Sequence, residues 1–147
     1  KNINIIVNTD SKVTSDKGNK LPTKIEKLCE IISDKSKRFM IFSEYDATFS
    51  EIAEKLQKDQ IKYSLLKGSS GRINNIINKF TNKDINVLLL NSKNFGAGLN
   101  LQITDEIIIY HRMSTDLENQ VIGRAQRMGR ENPLVINYLC YETEIQS

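Results

Sequence analysis

Two arginines and a glutamine carry the most pointed chemistry in this sequence. Gln120, Arg124 and Arg127 recur at positions i, i+4 and i+7 within the stretch Thr115 to Arg130. At about 100° per residue they fall on one narrow stripe of a helix. Leu117, Val121, Ala125 and Met128 form a second stripe directly beside it. A solvated basic face normally lies across the helix from its apolar face. Here the guanidinium groups emerge at the edge of the buried surface, where packing holds them in position. Gly123 sits inside the same helix at a cost of about 1 kcal/mol relative to alanine, so it needs a packing or functional reason. Close approach of another body over the arginine edge supplies one. A surface helix with scattered arginines is the plain alternative, and the glutamine and the glycine weigh against it.

Two further stretches suit phosphate oxygen. One is the turn Lys67-Gly68-Ser69. The other is the loop Ser92 to Asn100, where Gly96 and Gly98 free backbone amides and Ser92 adds a hydroxyl. A Gly-x-Gly alone is equally well explained as a tight turn; its place upstream of the arginine helix raises its weight. No Gly-x-x-x-x-Gly-Lys-Ser/Thr loop is present in the chain, so it lacks a triphosphate cradle of its own. Leu101 stands where the third glycine of a dinucleotide fingerprint would be. Asp105-Glu106 precedes a strand, where a magnesium-binding acid should follow one, and reads as strand-entry charge. His111 is the sole histidine, with no nucleophile arranged around it, and reads as a hydrogen-bonded structural residue. No metal site is expected. The residues together resemble half of a site.

The elements that must position these groups alternate along the chain. A strand-like arm, Ile3 to Val7, and a polar linker to Pro22 open it. Thr115 with Glu118 has the spacing of a capping box and marks the start of the arginine helix, which Gly129 and Pro133 end. Earlier helices are expected around Ile25 to Ile32, Phe49 to Leu56 and Ile73 to Phe80. Apolar runs at Phe39 to Phe42, Tyr63 to Leu66, Ile85 to Leu90, Ile107 to Tyr110 and Leu134 to Tyr141 read as buried strands. The pattern predicts an α/β fold, an open, mostly parallel sheet with helices on both faces. Its expected boundaries are an arm and linker over 1–22 and one domain over 23–147.

The 147 residues are enough for one real core, and a net charge of +3 permits a nucleic-acid partner without requiring one. Cys29 and Cys140 stand far apart, as buried reduced thiols of an intracellular protein would. No apolar run approaches the ~20 residues of a membrane span. The first residue is Lys1, which suits a fragment of something longer.

Gln120-x-x-Gly123-Arg124-x-x-Arg127 resembles the sixth conserved motif of superfamily 2 helicases. Ser92 with Gly96-Ala97-Gly98-Leu99-Asn100-Leu101 is similar to the fifth motif in its Swi/Snf-like form. Phe39 to Ser43 resembles the fourth, and the Lys67-Gly68-Ser69 turn with its helix resembles the segment that follows. The order and spacing agree over roughly residues 22–142, and helicases of large DNA viruses show a similar pattern. Met128-Gly129-Arg130 departs from the usual Ile-Gly-Gln, and His111-Arg112-Met113 lacks a tryptophan often found there; both weaken a nucleosome-remodelling role.

The resemblance implies the C-terminal RecA-like lobe of a two-lobe motor, inactive by itself. The N-terminal lobe would hold ATP with Mg2+. Arg124 and Arg127 would be arginine fingers and Gln120 would orient the nucleotide or the attacking water. Gly96 and Gly98 would let their loop approach ATP and nucleic acid. Ser69, Ser92 and Asn100 would touch the nucleic-acid backbone. The implied partners are that N-terminal lobe and DNA, with RNA as the other substrate and no membrane. The implied setting is the nucleus, or the cytoplasm for a viral protein. The alternative is a non-catalytic nucleic-acid-binding or docking module.

Overall fold

The computed structural model describes residues 5–8, 12–13, 24–91, 102–111, 114–125 and 134–141. Three strands, each apolar but for one terminal residue, build its centre: β3 (Phe39–Ser43), β5 (Val87–Asn91) and β6 (Glu106–Ile109). They are flanked by β4 (Tyr63–Leu65) on one side and by β7 (Leu134–Tyr138) and β1 (Ile5–Asn8) on the other. The sheet has six strands in the order β1-β7-β6-β3-β5-β4, and every pairing within it is parallel. A short second pair joins β2 (Lys12–Val13) to β8 (Cys140–Tyr141).

Side chains of a strand alternate between its two faces, and here each face has its own core. Met40, Phe42, Leu88, Leu90, Ile107 and Ile109 point to one side. They meet Ile76 and Phe80 of α3 (Ser70–Thr81) and Val121 and Ala125 of α4 (Thr115–Ala125). Phe39, Ile41, Val87, Leu89 and Ile108 point to the other side. There they meet Leu28 of α1 (Lys24–Ile31) and Phe49, Ile52 and Leu56 of α2 (Asp46–Lys58). Strands buried on both faces read as continuous apolar runs, which is why the sequence of β3 and β5 shows no polar alternation.

Three details go beyond the expected pattern. Ile5–Asn8 is no free arm, because it lies in register with Leu134–Asn137 at the edge of the main sheet. The apolar run from Leu134 to Tyr141 is two strands, not one, and they pair with different neighbours. Cys29 is half-buried instead of buried, a free thiol whose pKa burial pushes upward. Among the described residues no helix is long and apolar enough to cross a membrane.

The amino end of the sheet is clamped by charge. Asp105 accepts the Arg38 backbone N–H at 2.8 Å. Glu106 is buried and receives Lys37 Nζ at 2.8 Å and Asn137 Nδ2 at 2.9 Å. The hydrogen bond to Glu106 holds the Lys37 ammonium above the ordinary lysine value. Asp105-Glu106 is therefore strand-entry charge, far from the carboxyl ends where ligands of such sheets gather.

Candidate functional site

Helix α4 begins at a different cap from the one its sequence suggests. The Ser114 hydroxyl accepts the Leu117 N–H at 3.2 Å, and the Ser114 carbonyl accepts the Glu118 N–H at 3.0 Å. The cap is Ser114 rather than Thr115, and Glu118 turns inward. It is 4% exposed and accepts the Tyr138 hydroxyl at 3.2 Å. A bond to a phenol on β7 wins over a local backbone bond, and it adds a tether between α4 and the sheet. Val121 and Ala125 are fully buried, with Leu117 and Ile122 packed around them.

Beside that anchored stripe, Gln120 and Arg124 are exposed one turn apart. Arg124 makes no ion pair with any described residue. A Cβ placed on Gly123 would meet nothing within 4 Å. Internal packing against described residues therefore does not require this glycine. Arg127 and Met128 lie outside the described residues.

The turn after β4 is built around one backbone conformation. Gly68 has φ +117°, and a Cβ there would lie 2.6 Å from Arg72 Cδ. Glycine lets Arg72 fold back so that its Nε donates to the Lys67 carbonyl at 3.1 Å. Ser69 caps α3, its hydroxyl oxygen accepting the Arg72 N–H at 3.3 Å. The residue is exposed, and its hydroxyl proton is free to be donated outward. Ser92, Gly96, Gly98 and Asn100 lie outside the described residues. Their loop leaves β5 at Asn91, whose Nδ2 donates to the Glu44 carbonyl at 3.3 Å and to Asp46 Oδ1 at 2.7 Å.

His111 is hydrogen-bonded, as expected, but a serine that the sequence did not place beside it is the partner. Its Nδ1 lies 2.8 Å from Ser43 Oγ, and its ring stands edge-on to Tyr45 and Tyr110. The pairing joins the end of β3 to the end of β6. Those strands are neighbours, yet α2 and α4, which follow them, pack on opposite faces. A crevice forms at such a switch point, and it is the favoured ligand site of open parallel sheets. Sequence reasoning passed over Tyr45, Asn91 and Ser114. The only signal for Tyr45 was its place two residues after an apolar strand.

Comparison with known proteins agrees with this geometry. Residues 23–129 match the Helicase conserved C-terminal domain. The R592 protein of Acanthamoeba polyphaga mimivirus, a helicase by name, is 43% identical over 122 residues, covering 82% of this chain and 14% of that protein. The DNA repair protein rad8 of Schizosaccharomyces pombe is 29% identical over 116 residues, 76% of this chain and 10% of its own length. The chain thus spans a small part of the relatives it matches. The crystal structure of the C-terminal part of the Fun30 ATPase domain superposes with a TM-score of 0.73 at 25% identity, covering 84% of this chain and 42% of that one. The chain belongs to the helicase conserved C-terminal domain family, in its Swi/Snf-like branch and with its RecA-like fold.

Proposed function

We propose that the chain is the C-terminal motor lobe of an ATP-dependent DNA translocase or helicase. In this reading a separate N-terminal lobe holds ATP, and this lobe closes over it. Arg124 and Arg127 neutralise charge that develops on the transferred phosphoryl group. Gln120 orients the nucleotide or the attacking water. Gly96 and Gly98 allow their loop to come close to ATP and to the nucleic acid, while Ser69, Ser92 and Asn100 contact the strand backbone. Magnesium, held with ATP by the other lobe, supplies the remaining charge neutralisation.

One observation carries the proposal. Arg124 stands exposed, without an acidic partner among the described residues, on a helix whose neighbouring residues Val121 and Ala125 are fully buried. A guanidinium on a helix anchored this way, with no ion pair to a described residue, is available to complete a site on another body. Inside a closed, water-poor cleft such a charge acts far more strongly than in solvent. The name of rad8, a DNA repair protein, favours DNA over RNA as the track.

Steady-state ATP hydrolysis by the complete protein tests this reading. Arg124→Ala and Arg127→Ala should each cut DNA-stimulated turnover by up to about 10³–10⁵-fold, with the far-UV circular dichroism unchanged. Near-normal stimulated hydrolysis in both variants would refute the finger assignment. Stimulation by RNA in place of DNA would move the protein to an RNA substrate.

A further inference from the structure

Tyr45 occupies a position that helix chemistry reserves for other residues. It is the N-cap of α2, with φ −117° and ψ 117°, and its side chain caps nothing. Serine, threonine, aspartate or asparagine there would satisfy an N–H of the first turn. Tyr45 is also the one large hydrophobic side chain left exposed among the described residues, at 53%. Helix stability and solubility both argue against tyrosine at this point. A broken local rule offset inside the protein only by an edge-on His111 ring points to a functional position.

The backbone that carries the ring is also held in place. Asn91, at the end of β5, donates to Glu44 and to Asp46, the residues on either side of Tyr45. The Tyr45 N–H donates to Ser43 Oγ at 3.1 Å. His111, at the end of β6, sets its ring 4.9 Å from the Tyr45 ring at 88° and is tied to the same Ser43 oxygen at 2.8 Å. Three strand ends converge to fix one exposed aromatic at the switch point of the sheet. A group ordered in advance loses little freedom on binding.

We propose that Tyr45 is a stacking platform for an unpaired nucleobase of the strand that crosses the carboxyl end of the sheet. The inference rests on the nucleic-acid reading above and adds a base contact to the backbone contacts assigned to Ser69, Ser92 and Asn100. A phosphate needs only a donor, which a lysine or serine provides. A water-exposed ring on a fixed backbone, set edge-on to His111, suits a flat apolar partner instead, and every base has such a face, so the contact is sequence-tolerant. A base stacked on Tyr45 has left its duplex neighbours, so at least one strand is locally unpaired at this point.

The test uses the complete protein and a fluorescein-labelled single-stranded DNA, with and without abasic positions. Equilibrium binding is compared for the wild type, Tyr45→Phe and Tyr45→Asn. Asparagine restores an N-cap, so that variant should keep its melting temperature. It should nevertheless bind the intact strand about 5- to 150-fold more weakly. Phenylalanine should bind as the wild type does, and all three proteins should bind the abasic strand alike. Undiminished binding by Tyr45→Asn overturns the platform. So does an equal loss on both strands, which would mark a backbone contact. Lower DNA-free ATPase with unchanged DNA affinity also overturns it, because the ring would then be docking the N-terminal lobe. If the wild type bound neither strand yet bound duplex DNA, the platform would fall and the nucleic-acid reading would stand; if it bound no DNA at all while its ATPase was intact, both would fall.

Discussion

Gly123 separates two meanings of a glycine inside a helix. Its position is exposed, and a methyl group there would touch nothing within 4 Å. In the isolated chain Gly123→Ala should therefore raise stability by about 0.5–1 kcal/mol, read as a higher urea midpoint at unchanged m. In the complete protein the same methyl group should slow DNA-stimulated ATP hydrolysis, because the body closing over Arg124 would meet it. A variant that gains stability and keeps full turnover would show that nothing approaches the arginine edge. The Gln120 and Arg124 stripe was legible in sequence because helical spacing alone puts it beside Val121 and Ala125. The direction of Glu118 was not, since Tyr138, the partner that draws it inward, belongs to a strand 20 residues away.

At the scale of elements, each helix was legible from the spacing of its apolar residues, and each central strand from its unbroken apolar run. The misplaced boundaries have tertiary causes. The run from Leu134 onward divides at Leu139 because β7 follows β6 whereas β8 pairs with β2. The opening run joins the sheet edge through partners about 130 residues away, a distance at which local pattern carries no signal. The turn into α3 was legible in type, since a glycine before a serine cap suits a strand-to-helix connection, but not in its reason. At φ +117° an L side chain is strained, and a Cβ on Gly68 would also strike Arg72. Gly68→Ala should cost about 1–3 kcal/mol of stability. It should also release the Arg72 bond to the Lys67 carbonyl and weaken DNA binding by the complete protein through a displaced Ser69. Adding Arg72→Ala should return only the part of the loss due to the clash, because the backbone strain remains. Full recovery in the double variant would mean that φ at this position is not the constraint.

For the molecule as a whole, the proposed division of labour puts the chemistry between bodies. This lobe offers exposed Gln120 and Arg124 on one helix and an exposed serine at the cap of another. Its sequence contains no phosphate loop for a nucleoside triphosphate. Residues 1–147 alone should therefore hydrolyse ATP at the background rate, whereas the complete protein should show turnover that rises on adding DNA. Backbone contacts of the kind assigned to Ser69, Ser92 and Asn100 are blind to sequence, so scrambling the DNA should leave stimulation unchanged. Phosphate contact also displaces condensed counterions, so the logarithm of DNA affinity should fall linearly with the logarithm of salt concentration. Hydroxyl and backbone-amide donors release fewer counterions than lysines do. A lobe using serines and glycines, with a net charge of only +3, should thus add little to that slope. Comparing the complete protein with a Ser69→Ala variant isolates the contribution: affinity should drop while the slope stays parallel. A slope that flattened on removing this uncharged hydroxyl would show that the serine acts by positioning a cation, with Arg72 beside it as the first to examine.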